Sequence, residues 1–199
     1  MTLYPKKGKK AIIIFAYPGY RLDKGKKYGI LKRKRGIHMA EFTIRNATQQ
    51  DCGLILEFIK ELAVYEKMLP EVVATEQMLE EVIFRQGRVE VIFAVEDGVE
   101  VGFALFFHNF STFVGRAGLY LEDLFVKPAY RGKGYGKALF KQLARIAVER
   151  GCGRFEWCCL DWNQPSIDFY RSLGAVPMDE WTTYRLSGKT LQDLAEADR

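Results

Sequence analysis

Apolar residues recur along this chain in two rhythms, and the switches between them mark out its elements. Alternation at Phe42–Ala47 predicts a strand. Leu54, Ile55, Phe58, Ile59 and Leu62 then keep helical spacing, which predicts a helix near Asp51–Glu66. Thr75, ahead of Met78, Leu79, Val82 and Ile83, predicts a second helix with a threonine N-cap. Val89–Val95, Asp97-Gly98 and Val99–Phe107 read as an antiparallel hairpin. A strand at Leu119–Val126 runs into a long amphipathic helix at Gly134–Arg150, followed by a strand at Arg154–Leu160. A short helix at Pro165–Leu173 has its proline in the first turn and Gly174 at its end, and Trp181–Leu186 alternates like a final strand. With no internal repeats and no linker, this order predicts one mixed α/β domain, antiparallel in front with a strand–helix–strand crossover behind.

Composition narrows the class. The 199 residues are 48% hydrophobic and 14% aromatic, enough to fill the core of one domain. Cys52, Cys152, Cys158 and Cys159 form no CxxC pair, so a reduced, cytoplasmic setting is expected. Adjacent Cys158 and Cys159 read as small strand residues rather than nucleophiles. Two histidines, His38 and His108, argue against a histidine zinc site and against a Ser-His-Asp triad, and no metal is expected. No apolar run approaches the ~18 residues of a membrane span.

Charge divides the chain unevenly. Residues 1–38 hold twelve Lys/Arg against one acid, Asp23, so a chain of net +5 leaves −6 for residues 39–199. The basicity belongs to the leader, and no nucleic-acid partner is expected for the domain. Lys6–Lys10 before the apolar Ala11–Tyr17 lacks the cleavage site and length of a signal peptide. Residues 1–38 are expected to be disordered or outside the native domain, with residues 39–199 forming the single domain. A basic arm for RNA or anionic lipid, built on Lys32-Arg33-Lys34-Arg35, is the competing reading.

The chemistry concentrates in LYLEDLFVKPAYRGKGYGK, Leu119–Lys137. A strand bearing Glu122 and Asp123 turns at Pro128 into Arg131-Gly132-Lys133-Gly134-Tyr135-Gly136-Lys137 at the start of a helix. Glycines there let backbone N–H groups converge at the positive end of a helix dipole, a cradle for pyrophosphate. A cofactor site and a proton-handling site thus share one strand–turn–helix unit.

Those residues carry a resemblance. The element order with R-x-x-G-x-G at Arg131–Gly136 resembles the GNAT acetyltransferase superfamily. "YLEDLFV" at Tyr120–Val126, "WNQPSIDFY" at Trp162–Tyr170, "FTIRNAT" and "IKELAVYEKM" at Ile59–Met68 are similar to the diamine (spermidine/spermine) acetyltransferases and their thialysine-acetylating relatives. The similarity covers Met39 to about Leu186. It implies the GNAT acyl-CoA N-acyltransferase fold, an α+β arrangement with a mostly antiparallel twisted sheet flanked by helices. It also implies acetyl-CoA as co-substrate, a small primary amine as acceptor, direct transfer, and a homodimer paired across C-terminal strands.

Transfer from a thioester to an amine needs a held cofactor, a neutral amine, a stabilised oxyanion and a protonated leaving thiolate. The resemblance places the pyrophosphate on Arg131, Gly132, Lys133, Gly134, Tyr135, Gly136 and Lys137. It places the pantetheine along the backbone of Leu124, Phe125 and Val126, with further cofactor contacts at Asn163, Pro165 and Ser166. Tyr170 is the implied general acid and Glu122 the implied base, acting through water. On the residues alone, Tyr170 reads rather as a ring packed on an amphipathic helix and Glu122 as a solvated strand carboxylate. Asp123 would face away from Glu122 on a regular strand, and only a bulge would turn it.

Tyr65 and Glu66 match substrate-side positions, where an aromatic face and a carboxylate suit an amine cation. They would equally serve as a plain helix C-terminus. Glu156, Trp157 and Cys158 match another substrate-lining stretch. Polyamine-specific members carry an acid and a tryptophan where this chain has Thr112 and Val114, so "FSTFVGR" is closer to the thialysine-acetylating branch. The alternatives are a protein or peptide amine acceptor, or a non-catalytic CoA-binding regulatory module. The aromatic run Phe103, Phe106, Phe107, Phe110 and Phe113 reads as core or dimer interface.

Overall fold

Strand β1 (Phe42–Asn46) pairs antiparallel with β2 (Glu90–Glu96), which pairs antiparallel with β3 (Val99–Ser111) and so, in turn, with β4 (Arg116–Val126). This is a computed structural model describing residues 40–197; the basic leader of residues 1–38 and the expectations attached to it lie outside the described residues. Strand β5 (Phe155–Trp157) joins β4 in parallel, giving a five-stranded sheet in the order β1-β2-β3-β4-β5. The mixed, mostly antiparallel sheet flanked by helices is the fold the sequence predicted. The chain divides after Cys158 into two compact units, the second beginning at Cys159.

In the first unit, α1 (Cys52–Glu66) lays Ile55 and Phe58 on one sheet face. They meet Val91, Phe93, Val95, Phe103, Leu105 and Phe125, with Ile83 from the turn after α2 (Glu76–Leu79). Phe58 stacks on Phe103 with ring centroids 5.1 Å apart and tilts against Phe93 at 5.7 Å. Thr75 caps α2 as expected, its hydroxyl accepting from the Met78 N–H. The predicted second helix does not stay α-helical: Glu80–Arg85 loosens to a π-helix.

The β2–β3 turn has Asp97 at φ 50° and Gly98 at φ 80°, the left-handed pair of a type I′ hairpin, and it joins the two strands in antiparallel register. On the opposite face, α3 (Tyr135–Glu149) buries Leu139, Phe140, Leu143 and Ala147. The facing strand side chains, among them Ile92, Phe106, Leu119 and Leu121, are equally inaccessible. The predicted aromatic run splits by this pleat: Phe103 and Phe106 are core, whereas Phe110 and Phe113 stand exposed toward the β3–β4 turn.

The second unit holds α4 (Gln164–Ser172) and α5 (Gly188–Glu196). Pro165 sits in the first turn of α4, and Gly174 at φ 85° follows its end, as the pattern predicted. The strand expected at Trp181–Leu186 does not form, and Trp181 and Tyr184 are 74% and 91% exposed. Alternation specifies two faces, but a strand also needs a neighbour to take its N–H and C=O groups, and no ladder reaches this segment. Helix α5, which begins after Ser187, was not predicted.

Candidate active site

The decisive local feature is a bulge in β4. Leu105 pairs with Asp123 and Phe106 with Leu121, so Glu122 is an extra residue with no partner of its own. Regular alternation would put Asp123 and Leu121 on the same face, one buried in the α3 layer. The inserted residue shifts the parity: Leu119 and Leu121 face α3, whereas Asp123 and Phe125 face α1. Sequence reading left Asp123 open because a bulge carries no signature in the residues themselves.

On that face Asp123 is half-buried beside Glu122 and Glu66, the last residue of α1. Burial, and then the charges of Glu122 and Glu66, push the Asp123 carboxyl up to about 6. Burial also raises Glu66. Burial disfavours ionisation of Asp123 and Glu66, and a cation placed beside them and Glu122 would offset it.

The same bulge shapes the backbone. The β4–β5 ladder ends at Leu121–Trp157, one residue before it. Among the described residues no strand pairs with the outer edge of 122–126, so that edge is open to an extended ligand except at the Val126 carbonyl, which Arg131 takes.

That edge runs into the glycine loop. Gly132 and Gly134 have φ 79° and 89°, and Gly134 is the N-cap of α3. A Cβ on either would meet nothing within 4 Å, so it is the left-handed backbone, not crowding, that calls for glycine there. The Arg131 guanidinium lies 4.7 Å over the Tyr65 ring and 5.3 Å over Phe125, and its Nε donates to the Val126 carbonyl at 3.0 Å. Tyr65, expected to face an amine, thus has Arg131 on its ring. Lys133 pairs with Glu96 rather than standing alone as a phosphate cation, and Tyr135 donates to the same carboxylate. Gly136 packs over Leu124 and Val126, and Lys137 lies in the first turn of α3.

The remaining candidates separate by face. Glu156 pairs with Tyr120 across the ladder, accepts from Asn109 Nδ2 at 3.0 Å and binds Arg154 at 2.8 Å. The Tyr120 hydroxyl donates to Cys158 Sγ at 3.0 Å, and burial raises its pKa. Trp157 instead faces α3, edge-on to Phe140 at 5.0 Å. In the second unit, Asn163 is buried at the start of α4 and its carbonyl accepts from the N–H groups of Ser166 and Ile167. Pro165 and Ser166 form the first turn, and Tyr170 is half-buried, tilted against Phe169 at 5.6 Å.

An open strand edge leading to an N–H-rich loop at a helix start, beside a carboxylate cluster, is the frame in which comparison with known proteins is informative. Residues 57–175 match the acetyltransferase (GNAT) family. The chain belongs to that family. It is 38% identical to the thialysine N-epsilon-acetyltransferase of Sus scrofa over 169 residues, 79% of this chain and 99% of that protein. Among solved structures, an integron cassette protein from the mobile metagenome of V. cholerae superposes with TM-score 0.66 at 32% identity, covering 78% of this chain and 98% of that one. An aminoglycoside N-acetyltransferase in complex with CoA superposes with TM-score 0.61 at 20% identity, over 75% and 97% of the two chains, and shares the fold. By its family the chain is an acetyltransferase, as the curated relatives it matches are named. Among the described residues, no helix is long and apolar enough to cross a membrane.

Proposed function

We propose that the protein transfers the acetyl group of acetyl-CoA to the terminal primary amine of a small cationic amino acid or diamine of the thialysine, ornithine or polyamine kind. The observation that carries this reading is the pair of half-buried carboxylates Glu66 and Asp123, with the exposed Glu122 next to them, beside the open edge of β4. An alkylammonium fits there by charge, and the edge and glycine loop suit a pantetheine chain ending in a pyrophosphate. The residues fit acetyl-CoA, which would supply the activated carbonyl and the thiolate leaving group.

Each residue then has a task. Glu66 and Asp123 hold the ammonium, and Glu122, exposed at the bulge, takes its proton through water so that the nitrogen lone pair is free. Backbone N–H groups on the open edge of β4 polarise the carbonyl oxygen. Tyr170, assigned on the resemblance, would donate a proton to the departing sulfur and regain one from the nitrogen, which gives up its second proton once the C–N bond has formed. The proton removed from the ammonium leaves to solvent through Glu122, and the products are the N-acetyl amine and the free thiol. Glycine-loop amides and the Arg131 and Lys137 charges hold the pyrophosphate, with Asn163, Pro165 and Ser166 as further cofactor contacts. A homodimer, which rests on the resemblance, and a cytoplasmic location, which rests on the free cysteines, belong to the same proposal.

The test is thiol release from acetyl-CoA by the full chain against thialysine, lysine, ornithine, putrescine, spermidine, spermine and an N-terminal peptide. Saturable turnover on a small amine is expected, strongest on thialysine-like amino acids. Turnover on the peptide alone would replace the small-amine reading with a protein acceptor.

A further inference from the structure

Glu96 ends β2 and is only 8% exposed, yet its carboxylate has no role in the sheet. It reaches instead to the glycine loop, 37 and 39 residues further along the chain. The Tyr135 hydroxyl donates to it at 2.5 Å, and Lys133 Nζ lies 3.0 Å from both of its oxygens. These two donors flank Gly134, whose φ of 89° makes the turn into α3. The Tyr135 ring lies flat on Phe42 of β1, centroids 4.8 Å apart with 13° between the planes, and the Lys133 ammonium sits 4.9 Å over the Tyr130 ring.

The loop is therefore held at its middle by two neighbouring strands. Two left-handed glycines give Arg131–Lys137 more backbone freedom than any other part of the proposed cofactor site, and freedom lost on binding weakens affinity. Both donors, Tyr135 first, hold the Glu96 carboxyl below the usual carboxylate range. We infer that Glu96 is a positioning residue for cofactor binding: by holding Lys133 and Tyr135 on either side of Gly134, it fixes the loop amides in the arrangement that receives a pyrophosphate. Lys133, its charge neutralised by Glu96, acts through the loop, and Arg131 and Lys137 supply the cations. The inference rests on the acetyl-CoA reading above.

Calorimetric titration of the full chain with CoA, and with pantetheine, which lacks the pyrophosphate, tests it. Glu96→Gln is expected to weaken CoA binding roughly tenfold, as loss of a charge-assisted contact does, while pantetheine binding stays within about twofold. Tyr135→Phe removes only the hydroxyl and keeps the ring on Phe42, so it decides the matter should Glu96→Gln not fold. It is expected to weaken CoA alone, by about threefold. The double variant is expected to bind CoA no more weakly than Glu96→Gln, since both act on one network. Unchanged CoA affinity in folded variants, or an equal loss for CoA and pantetheine, overturns the positioning role while leaving the acetyl-CoA reading standing. Failure of the unaltered protein to bind CoA overturns that reading and the inference with it.

Discussion

Asp123→Asn is expected to make the protein more stable and less active, and the size of the first effect follows from the site. The carboxyl is raised from an aspartate's usual value of about 4 to about 6 by burial and by Glu122 and Glu66. A group whose folded pKa lies above its unfolded one binds more protons in the folded state between those values. Stability therefore falls as pH rises through that window and stays lowered above it. Two units at 1.36 kcal/mol each would be about 3 kcal/mol. Asp123 is only half-buried, and solvent beside the exposed Glu122 screens the interaction, so about 1–2 kcal/mol is expected at pH 8.

Urea unfolding of the ligand-free chain at pH 4, 6 and 8, with and without the substitution, measures it. The unaltered protein should lose this component between pH 4 and pH 7, and Asp123→Asn should keep it. An ionised Asp123 is also what the proposed amine site requires. The kcat/KM profile should accordingly fall away on the acid side near pH 6, and the variant should lack that limb. An Asp123→Asn protein less stable than the parent at pH 8, or one with an unchanged pH dependence, would refute the argument that this carboxylate is held under electrostatic strain.

The other expectations concern the catalytic groups and the loop. Tyr170→Phe should cut turnover about 10²-fold or more with CoA affinity nearly unchanged. Glu122→Gln should lower turnover most near neutral pH and recover as free amine accumulates at high pH, so full activity of both variants at neutral pH would remove the assigned roles. Gly134→Ala places a Cβ at φ 89°, which costs about 1–2 kcal/mol. It should appear as a raised KM for acetyl-CoA and a thermal midpoint lowered by several degrees, whereas an unchanged KM would show that the loop tolerates the altered turn.

Much of the frame was legible because it is local. Helical spacing at Leu54–Leu62 requires only that one stripe find apolar cover, and Asp97-Gly98 can hardly sit between two apolar runs except as a hairpin turn. The glycines of Arg131–Lys137 announced converging N–H groups before a helix for the same reason, and the structure gives Gly132 and Gly134 left-handed backbone. Trp181–Leu186 shows the limit: its alternation is as clean as that of Phe42–Asn46, but only the latter has β2 beside it. Trp157 and Glu156 are neighbours in sequence, and the pleat sends one to α3 and the other to Asn109 and Arg154.

By itself, then, the sequence determined most elements of the first unit, the glycine loop and the family resemblance, because these depend on periodicity, backbone conformation and residue type within short windows. Tertiary structure alone decided that a bulge at Glu122 turns Asp123 toward Glu66, that β5 stops where the edge of β4 opens, and that Glu96 holds the loop from another strand. Each of these is a pairing between residues far apart in the chain. Its strength comes from burial and charge at the meeting point, and no single window of sequence contains both partners.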